Sequence, residues 1–303
     1  MKFGITLPHF RQVMSAQGVQ QVAREAESLG YDSIWVTDHL VIPDAYVERF
    51  GEAMMEPLTV LASVIPITSR VKLGISVVIA PYRNPIFVAK SLATMDVLSE
   101  GRLIAGVASG WCREEFEYLG VSFQERGALT DEAIQLYKEI WTRDRPRFQG
   151  RYWQFADLEA KPQPVQKPHP PIWVGGNSPR GRRRAVELGD AWHPTRIRAP
   201  EIRQAWEHIR RLAERQGRDL KGFSIAPRHP MKLYDHSIGQ PWPLLGTVDE
   251  VKVALEELSQ AGAGYLVLDT FYSLKELEGE SLDTMRRTLD TFARQVMPAF
   301  KDR

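Results

Sequence analysis

The sequence lacks most features that would place a chain outside the cell or in a membrane. It has one cysteine, Cys112, so it cannot form an internal disulfide. No apolar run approaches the roughly 20 residues that span a bilayer, and the chain begins with a predicted strand instead of a signal peptide. We therefore expect a cytoplasmic protein that has no membrane partner.

An excess of charge of one sign is also absent. The 39 Lys and Arg residues balance 38 Asp and Glu residues, which gives a formal net charge of +1. A broad nucleic-acid footprint needs clustered basic residues in excess, so we expect no nucleic-acid partner.

Signatures of metal binding and of serine hydrolysis are missing as well. The seven histidines have no second histidine three or four positions away, and there is no cysteine cluster, so the sequence predicts no metal site. The G-x-S-x-G elbow of a serine hydrolase does not occur. Cys112 is expected to be structural and inert.

The sequence does contain a regular alternation of strand and helix patterns. Short apolar or β-branched runs alternate with segments of helical period, which predicts a parallel sheet. Eight such units over this length favour a closed (β/α)8 TIM barrel, and an open doubly wound sheet is the alternative. The eight predicted strands are Phe3–Leu7, Ser33–Val36, Lys72–Ala80, Leu103–Ala108, Ile172–Val174, Ala191–His193, Gly222–Ala226 and Tyr265–Leu268.

A polar, proline-rich stretch interrupts this alternation between the fourth and fifth strands. It runs from Arg143 to Pro171, and Arg147–Leu158 within it predicts a hairpin that turns at Gly150–Arg151. We interpret 143–171 as an insertion in a single domain that spans residues 1–303.

The active site of a TIM barrel lies at the carboxyl ends of its strands, so the loops that follow the strands supply the candidates. His39 follows strand 2 and can donate a proton or a hydrogen bond, while Asp38 beside it can fix its tautomer. A loop histidine that only caps a backbone group is the alternative. Further candidate loops are Pro8–Phe10, Ser76–Tyr82, His193–Arg198, Pro227–His229 and Asp269–Tyr272.

Two other loops have compositions that suit a cofactor. Gly175–Ser178 separates a strand from a helix, where glycine amides and the helix N-terminus favour an anion such as a phosphate. A tight turn before a helix with a basic outer face is the alternative. In Ala108–Trp111, Gly110 allows a flat ring to stack close to the backbone, and Trp111 either lines a pocket or belongs to the core.

Taken in order, these segments resemble the bacterial luciferase-like monooxygenase superfamily, and within it the branch of oxidoreductases that use coenzyme F420. The resemblance covers nearly the whole chain. It is carried by MKFGITLP and AREAESLGYDSIWVTDHL near the start and by VKLGISVVIAPYRNPIFVAKSLATMDVLSEGRLIAGVASGWCREEFEYLGVSFQERG in the centre. PPIWVGGNSPRGRRRAVELGDAWHP and LGTVDEVKVALEELSQAGAGYLVLD carry it further along.

The resemblance implies a (β/α)8 barrel with an insertion and a flavin or deazaflavin at the carboxyl end. It also implies a strand 3 bulge with a non-prolyl cis peptide that backs the ring, matched here by Ser76 and Val77. In the relatives that use a deazaflavin, an Asp-His pair lies by the reactive ring carbon, and Asp38–His39 matches it. The remaining residues implied to bind the cofactor are Ala108, Ser109, Gly110 and Trp111 in the strand 4 loop, and Gly175, Gly176, Asn177 and Ser178 at the phosphate.

One position departs from the resemblance. The sugar-phosphate dehydrogenases of the superfamily place a carboxylate proton donor directly after the Ser/Thr-Gly of the strand 4 loop, where this chain has Trp111. Glu114 and Glu115 follow a few residues later and are expected to face elsewhere. Sugar-phosphate dehydrogenation is therefore not expected, and His39 is the acid/base candidate.

Three functions are compatible with these residues. The first is a hydride-transfer oxidoreductase that uses coenzyme F420, and the second is a two-component monooxygenase that uses reduced FMN, dioxygen and a separate cofactor reductase. The third is a catalytically silent flavin-binding barrel, against which the Asp38–His39 pair argues. We favour coenzyme F420, whose phosphodiester and oligoglutamate tail call for cationic side chains, and the candidates are Arg180, Arg182, Arg183, Arg184, Arg196 and Arg198.

The small-molecule substrate is predicted to be apolar or aromatic. The loop Val41–Met55 and the stretch Arg143–Pro171 are expected to wall its pocket, and both carry aromatic and aliphatic side chains. These side chains are Tyr46, Phe50, Met54, Met55, Tyr152 and Trp153. We also expect the protein to be a homodimer.

Overall fold

The computed structural model describes residues 1–271, 274, 277 and 280–301, so Tyr272 of the last predicted loop lies outside the described residues. All eight predicted strand positions carry strands, within a residue or two at each end, and two of these strands are interrupted. The strands are β1 (Lys2–Thr6), β2 (Ser33–Val36), β3 (Lys72–Ile75), β4 (Val78–Ile79), β5 (Leu103–Ala108), β6 (Phe148–Gln149), β7 (Gln154–Phe155), β8 (Ile172–Gly175), β9 (Ala191–His193), β10 (Ser224–Ile225), β11 (Arg228–Pro230), β12 (Lys232–Leu233), β13 (Leu245–Gly246) and β14 (Tyr265–Asp269).

Helices follow the strands along the chain, as the alternating pattern predicts. Several begin at a side chain that caps the first turn, as at Ser15, Asn84, Ser178 and Thr247. The helices are α1 (Ala16–Ser28), α2 (Val47–Phe50), α3 (Pro57–Val64), α4 (Pro85–Leu98), α5 (Arg113–Tyr118), α6 (Arg126–Thr142), α7 (Pro179–Leu188), α8 (Ala199–Gln216), α9 (Val248–Gln260), α10 (Leu282–Thr291) and α11 (Pro298–Lys301).

The main sheet is parallel throughout and curls on itself. Its order is β10-β9-β8-β5-β3-β2-β1-β14-β11, and β4 also pairs with β5. The two end strands, β10 and β11, are separated in the chain only by Ala226 and Pro227. An isolated bridge joins Thr195 to Arg228, and another joins Ile225 to Ala263, so the two ends of the sheet lie together.

Two predicted strands are interrupted for identifiable reasons. The continuous strand predicted for Lys72–Ala80 breaks at Ser76–Val77, whose peptide bond is cis, and β4 resumes the pairing with β5. The seventh strand continues beyond its predicted end as β11, because Pro227 has no N–H for the ladder and splits the strand in two. The short helices α2 and α5 were not predicted, since four and six residues are too few to show a helical period.

The proline-rich stretch contains the predicted hairpin. β6 and β7 pair in antiparallel fashion, with Phe148 opposite Phe155. The carboxylate of Glu132 on α6 accepts hydrogen bonds from the backbone N–H groups of Tyr152 at 2.9 Å and Trp153 at 2.8 Å. The turn of the hairpin is therefore fixed to α6.

Aromatic side chains from β2, β8 and β14 form a buried cluster. Trp173 lies 4.9 Å from Trp35 and 4.9 Å from Tyr265 between ring centroids, and all three are buried. Trp35 Nε1 and the Tyr265 hydroxyl both donate to Ser33 Oγ, at 2.6 and 2.7 Å. The ring of His193 stacks on Trp35 at 5.5 Å. His193, which lines the cavity at the carboxyl end, therefore packs on this buried aromatic cluster and forms part of the cavity floor.

Within the described part of the chain, no helix has the length and apolar character needed to cross a bilayer.

Candidate active site

A cavity of about 270 Å³ opens at the carboxyl ends of the strands. It is lined from the loops that the barrel rule selects, including those after β2, β5, β8 and β9. Asn177, Ser178 and Arg182 lie outside this lining. The predicted site residues that line it are Asp38, His39, Ser76, Val77, Ala108, Ser109, Gly110, Trp111, Gly175 and Gly176.

His39 is held from behind by Glu115, a contact that corrects the expectation that Glu115 faces elsewhere. His39 Nδ1 lies 2.5 Å from Glu115 Oε2, and both side chains are buried. Because a carboxylate only accepts, Nδ1 carries the hydrogen and donates it. In the described part of the chain Nε2 makes no hydrogen bond, so it is the nitrogen left to act in the cavity.

Glu115 is itself held by four hydrogen-bond donors, one of which is His39. It accepts hydrogen bonds from the backbone N–H groups of Leu40 at 2.8 Å and Val41 at 3.3 Å, and from the Tyr82 hydroxyl at 3.0 Å. Burial raises the pKa of Glu115, but the bonds from His39, Leu40 and Val41 outweigh it and bring the pKa below its ordinary value. The carboxylate is therefore ionised at neutral pH and fixes the ring of His39.

Asp38 has a different partner from the one predicted. Its carboxylate forms a two-point ion pair with Arg83, at 2.7 and 3.0 Å, and accepts the N–H of Ile79 at 2.9 Å. Burial raises the pKa of Asp38, and the Arg83 guanidinium opposes that rise. The expectation that Asp38 fixes the His39 tautomer is therefore wrong, and Asp38 instead anchors β4 directly after the bulge.

The cis peptide between Ser76 and Val77 is present where the resemblance implied it. The carbonyl oxygen of Ser76 accepts hydrogen bonds from Thr37 Oγ1 at 2.9 Å and from Arg228 Nη1 at 3.0 Å. Arg228 forms a buried ion pair with Asp269. The bulge is therefore held in place by Thr37 after β2 and by Arg228 of β11, and Asp269 at the end of β14 holds Arg228 in turn.

A neutral histidine completes the floor beside this bulge. Burial lowers the pKa of His193 to about 4, so the ring is uncharged at neutral pH. Its Nδ1 donates to the carbonyl of Ala226, and Nε2 accepts from Ser76 Oγ at 2.7 Å. His193 therefore fixes the Ser76 hydroxyl and does not serve as a proton donor at neutral pH.

Trp111 lines the cavity and is not a core residue, which decides between the two interpretations of its position. It keeps 42% of its surface exposed and lies edge-on to His39 at 5.7 Å between centroids. Gly110 before it has φ +73°, and a Cβ there would lie 2.7 Å from Ile79 Cγ2. Only glycine fits this close approach, which brings the loop against β4.

The predicted phosphate turn is formed at the edge of the cavity. Gly176 has φ +111°, and a Cβ at this residue would project into open space. Asn177 is fixed by Thr195, whose N–H and carbonyl bond its side-chain amide at 3.0 and 2.7 Å. Ser178 Oγ caps α7 by accepting from Gly181 N at 3.1 Å. The turn thus leads from the cavity to the amino end of a ten-residue helix.

The arginines predicted to bind the anionic tail of coenzyme F420 have different partners in the structure. Arg182 bonds the Asn177 carbonyl at 3.0 Å and His208 at 3.0 Å, so it supports the turn from outside. Arg183 and Arg184 both pair with Asp131. Arg196 and Arg198 lie over the same ring, Trp242, at 5.7 and 5.3 Å, which places them on one side as their spacing predicts.

Arg180 belongs to a cluster that the sequence did not indicate. The pKa of Arg126 is lowered by burial and by the positive charges of Arg113 and Arg180, so the three guanidinium groups lie within electrostatic range. Arg113 and Arg126 also contact the Phe123 ring, at 4.4 and 3.8 Å from its centroid. We refer to Arg113, Arg126 and Arg180 as the arginine cluster; in the described residues none of them forms an ion pair with a carboxylate.

The cavity fits the isoalloxazine-type ring that the resemblance implies. The Ser76–Val77 bulge and Ala108 provide a wall without charged side chains, and the open space at Gly176 accommodates a phosphate beside the α7 amino end. Cys112 is buried, and burial raises the pKa of its thiol to about 11, so a thiolate does not take part at neutral pH. Among the described residues, no group of His, Cys, Asp and Glu side chains is arranged to hold a metal.

Comparison with known proteins defines the class. Residues 1–235 match the family described as luciferase-like monooxygenase, so the chain belongs to that family. The relatives that it matches include F420-dependent glucose-6-phosphate dehydrogenases.

The curated relatives include both cofactor types. The chain is 34% identical over 170 residues to an FMNH2-dependent dimethylsulfone monooxygenase of Pseudomonas putida, with 55% of this chain and 46% of that protein covered. It is 33% identical over 186 residues to an F420-dependent glucose-6-phosphate dehydrogenase of Amycolatopsis mediterranei, with 60% and 54% covered. The chain therefore spans about half the length of the curated relatives it matches.

Solved structures agree on the fold over the whole chain. The monooxygenase RslO1 from Streptomyces bottropensis superposes with a TM-score of 0.82 at 21% identity, covering 99% of this chain and 100% of that one. An F420-dependent secondary alcohol dehydrogenase in complex with an F420-acetone adduct gives a TM-score of 0.81 at 19% identity, with 99% of each chain covered.

Proposed function

We propose that this chain is an oxidoreductase that transfers a hydride between coenzyme F420 and an apolar or aromatic organic substrate. The proposed scaffold is a single (β/α)8 barrel domain over residues 1–303, with 143–171 as an insertion. The observation that carries the proposal is the placement of His39. It is fixed by Glu115 and lines the same cavity as the Ser76–Val77 bulge and Gly176 of the phosphate turn.

The residues that would hold the cofactor follow from this arrangement. Ser76, Val77 and Ala108 would back its ring, and the turn from Gly175 to Ser178 would bind its phosphate. When bound, coenzyme F420 supplies a two-electron hydride exchange at one ring carbon.

His39 Nε2 is the group proposed to move the accompanying proton. In the oxidative direction it accepts the proton of a substrate hydroxyl or amine while the hydride leaves the adjacent carbon, and in the reductive direction it returns that proton. Glu115 keeps Nδ1 protonated and compensates the charge that the ring gains. Trp111 and Phe50 line the cavity beside His39 and provide apolar surface for the substrate.

The arginine cluster supports coenzyme F420 as the cofactor. Arg180 stands in the first turn of α7, directly after the proposed phosphate turn, and its charge reaches Arg126. Three like charges held near one another disfavour each other, and a polyanionic tail would relieve that repulsion. FMN ends at its phosphate and would leave the cluster without a ligand.

Titration calorimetry with coenzyme F420 and FMN, each at low and high salt, tests the cofactor. We expect tighter binding of coenzyme F420 and a steep loss of its affinity with salt, because exposed charges are screened over about 8–10 Å at physiological ionic strength. Arg126→Gln should weaken coenzyme F420 and spare FMN, whereas Arg203→Gln on the exposed face of α8 should change neither. Tighter binding of FMN would contradict the proposal.

The second candidate is a monooxygenase that uses reduced FMN, dioxygen and a separate reductase. It is favoured by the 34% identity to the Pseudomonas putida dimethylsulfone monooxygenase. The same cavity, phosphate turn and His39 would serve it, so the cofactor titration separates the two candidates.

We also propose a homodimer. The outward face of α4 supports it, since Ile86, Phe87, Val97 and Leu98 on this helix are exposed large apolar residues. Light scattering on the purified protein tests the predicted mass of two chains.

A further inference from the structure

Four rings meet at the His39 end of the cavity. The ring centroid of Trp111 lies 5.0 Å from that of Tyr46 and 5.8 Å from that of Phe50. The Phe50 ring lies 4.6 Å from His39. We refer to Tyr46, Phe50 and Trp111 as the aromatic wall. Trp111 remains 42% exposed within it, so the wall still has aromatic surface available to a planar ligand.

A guanidinium group lies against this wall. The Arg49 Cζ atom is 4.9 Å from the Phe50 ring centroid and 5.1 Å from that of Trp111, and the half-buried Arg49 lines the cavity. Cation–π contacts with two rings restrict where the group can lie. The neighbouring acids, Glu48 and Glu52, line a separate depression on the surface and not this cavity.

One charged side chain that lines the cavity has no ion-pair partner among the described residues. Asp38 is paired with Arg83, and Arg228 is paired with Asp269. Arg49 also lines the cavity, and in the described part of the chain it has no ion pair with a carboxylate. Arg49 therefore brings to the cavity a positive charge that is not paired with any described carboxylate, and this charge lies beside the aromatic wall and in the same cavity as His39.

We infer that the substrate is a planar aromatic carboxylic acid, with its ring against Trp111 and Phe50 and its carboxylate on Arg49. A guanidinium presents paired N–H donors whose geometry matches a carboxylate, and it is more weakly hydrated than an ammonium group. The inference rests on the proposed function, because it takes the cavity beside His39 to be the substrate site.

Three matched probes distinguish the contribution of the carboxylate charge to binding from that of the aromatic ring. Benzoate carries both, benzamide keeps the ring without the charge, and cyclohexanecarboxylate keeps the charge without the ring. We expect calorimetry on the cofactor-loaded protein to give at least tenfold tighter binding of benzoate than of either other probe. Equal binding of benzoate and benzamide would overturn the inference.

Variants assign the two contacts. Arg49→Met should weaken benzoate at least tenfold and leave benzamide unchanged, and Arg49→Lys should retain part of the preference for the acid. Trp111→Leu should weaken benzoate and benzamide together. Unchanged benzoate affinity in Arg49→Met, with its melting temperature within a few degrees of wild type, would exclude Arg49 as the anchor.

Cofactor titrations on the same variants keep this test separate from that of the proposed function. Coenzyme F420 and FMN should bind Arg49→Met as they bind wild type. If neither cofactor binds wild type, the proposed function fails whatever benzoate does. If a cofactor binds and benzoate shows no preference over benzamide, only the substrate inference fails.

Discussion

The Nδ1 atom of His39 lies 2.5 Å from Oε2 of Glu115, and this bond joins two residues that are 76 positions apart in the chain. It connects the loop after β2 to the short helix after β5. The bond leaves one nitrogen of His39 for chemistry and assigns the other to a buried, ionised carboxylate. His39 is therefore the proposed catalytic residue, and Glu115 is the proposed positioning residue.

Replacing His39 should impair chemistry far more than folding. In His39→Ala we expect turnover to fall about 10²-fold or more, the usual scale for a lost acid/base, while the protein still folds and unfolds cooperatively at a lower melting temperature, because the buried Glu115 loses a donor. Steady-state kinetics and thermal unfolding on the same preparations check both. Turnover close to that of wild type would remove His39 from the mechanism.

Glu115→Gln should affect both the catalytic step and stability. The amide cannot accept from His39, Tyr82 and two backbone N–H groups as the carboxylate does, so kcat should fall about tenfold or more with KM little changed. Loss of the buried charged acceptor should also lower the free energy of unfolding by about 2–3 kcal/mol. Denaturant titration measures the second effect.

A double-mutant cycle shows whether Glu115 acts through His39. With His39 already replaced by Ala, Glu115→Gln should reduce kcat little further. Glu117→Gln, a substitution of the same type at an exposed position of α5, should leave kcat and stability unchanged. Fully additive losses in kcat would mean that Glu115 has no positioning role.

Gly176→Val should weaken cofactor binding at least tenfold, about 1.4 kcal/mol. Its φ of +111° is unfavourable for valine, and the side chain would enter the space assigned to the phosphate. Gly217→Val is a matched control, because Gly217 also has a positive φ, +60°, with open space around it, at the end of α8. The control should lose stability and keep its cofactor affinity; equal affinities in both variants would show that the turn is only structural.

Because His193 is buried and uncharged, it should lower the free energy of unfolding in mild acid relative to neutral pH. Its pKa is about 4 in the folded chain, against an ordinary value near 6.5. Between these values the unfolded chain binds a proton that the folded chain does not, so the free energy of unfolding falls as the pH falls. The free energy of unfolding should therefore fall less between pH 7 and pH 5 in His193→Gln than in wild type, by about 2 kcal/mol.

Urea titrations at the two pH values measure this difference directly. His236→Gln is the control, because His236 is exposed and its replacement should leave the loss unchanged. An identical loss in wild type and His193→Gln would mean that His193 is protonated in the folded protein.

The sequence predicted the scaffold well because strands buried on both faces are continuous apolar runs and helices repeat every 3.6 residues. The Ser76–Val77 bulge was implied by the family resemblance, whereas the turn at Gly176 was indicated by the short motif Gly175–Ser178 itself. Pro227 was visible in the sequence, but its effect, a strand split between two partners, depends on which strand lies on each side.

Side-chain pairing between distant segments was not predictable in the same way. Glu115 lies in the run REEFEY, where three acids within four consecutive positions resemble an exposed helix face. Glu115 is buried because the loop after β2 places His39 and the backbone N–H groups of Leu40 and Val41 within hydrogen-bond distance of its carboxylate. Arg228 and Asp269 stood in candidate loops, yet nothing local indicated that they pair with each other under the Ser76 carbonyl.

The type of chemistry is tested most directly by following coenzyme F420 absorbance and oxygen uptake together, in single-turnover reactions with a panel of aromatic alcohols, aldehydes and acids. We expect a substrate to change the redox state of coenzyme F420 at the same rate with and without dioxygen, and we expect His39→Ala to slow this change about 10²-fold or more. Oxygen consumption and an oxygenated product with reduced FMN, without any redox change of coenzyme F420, would contradict it.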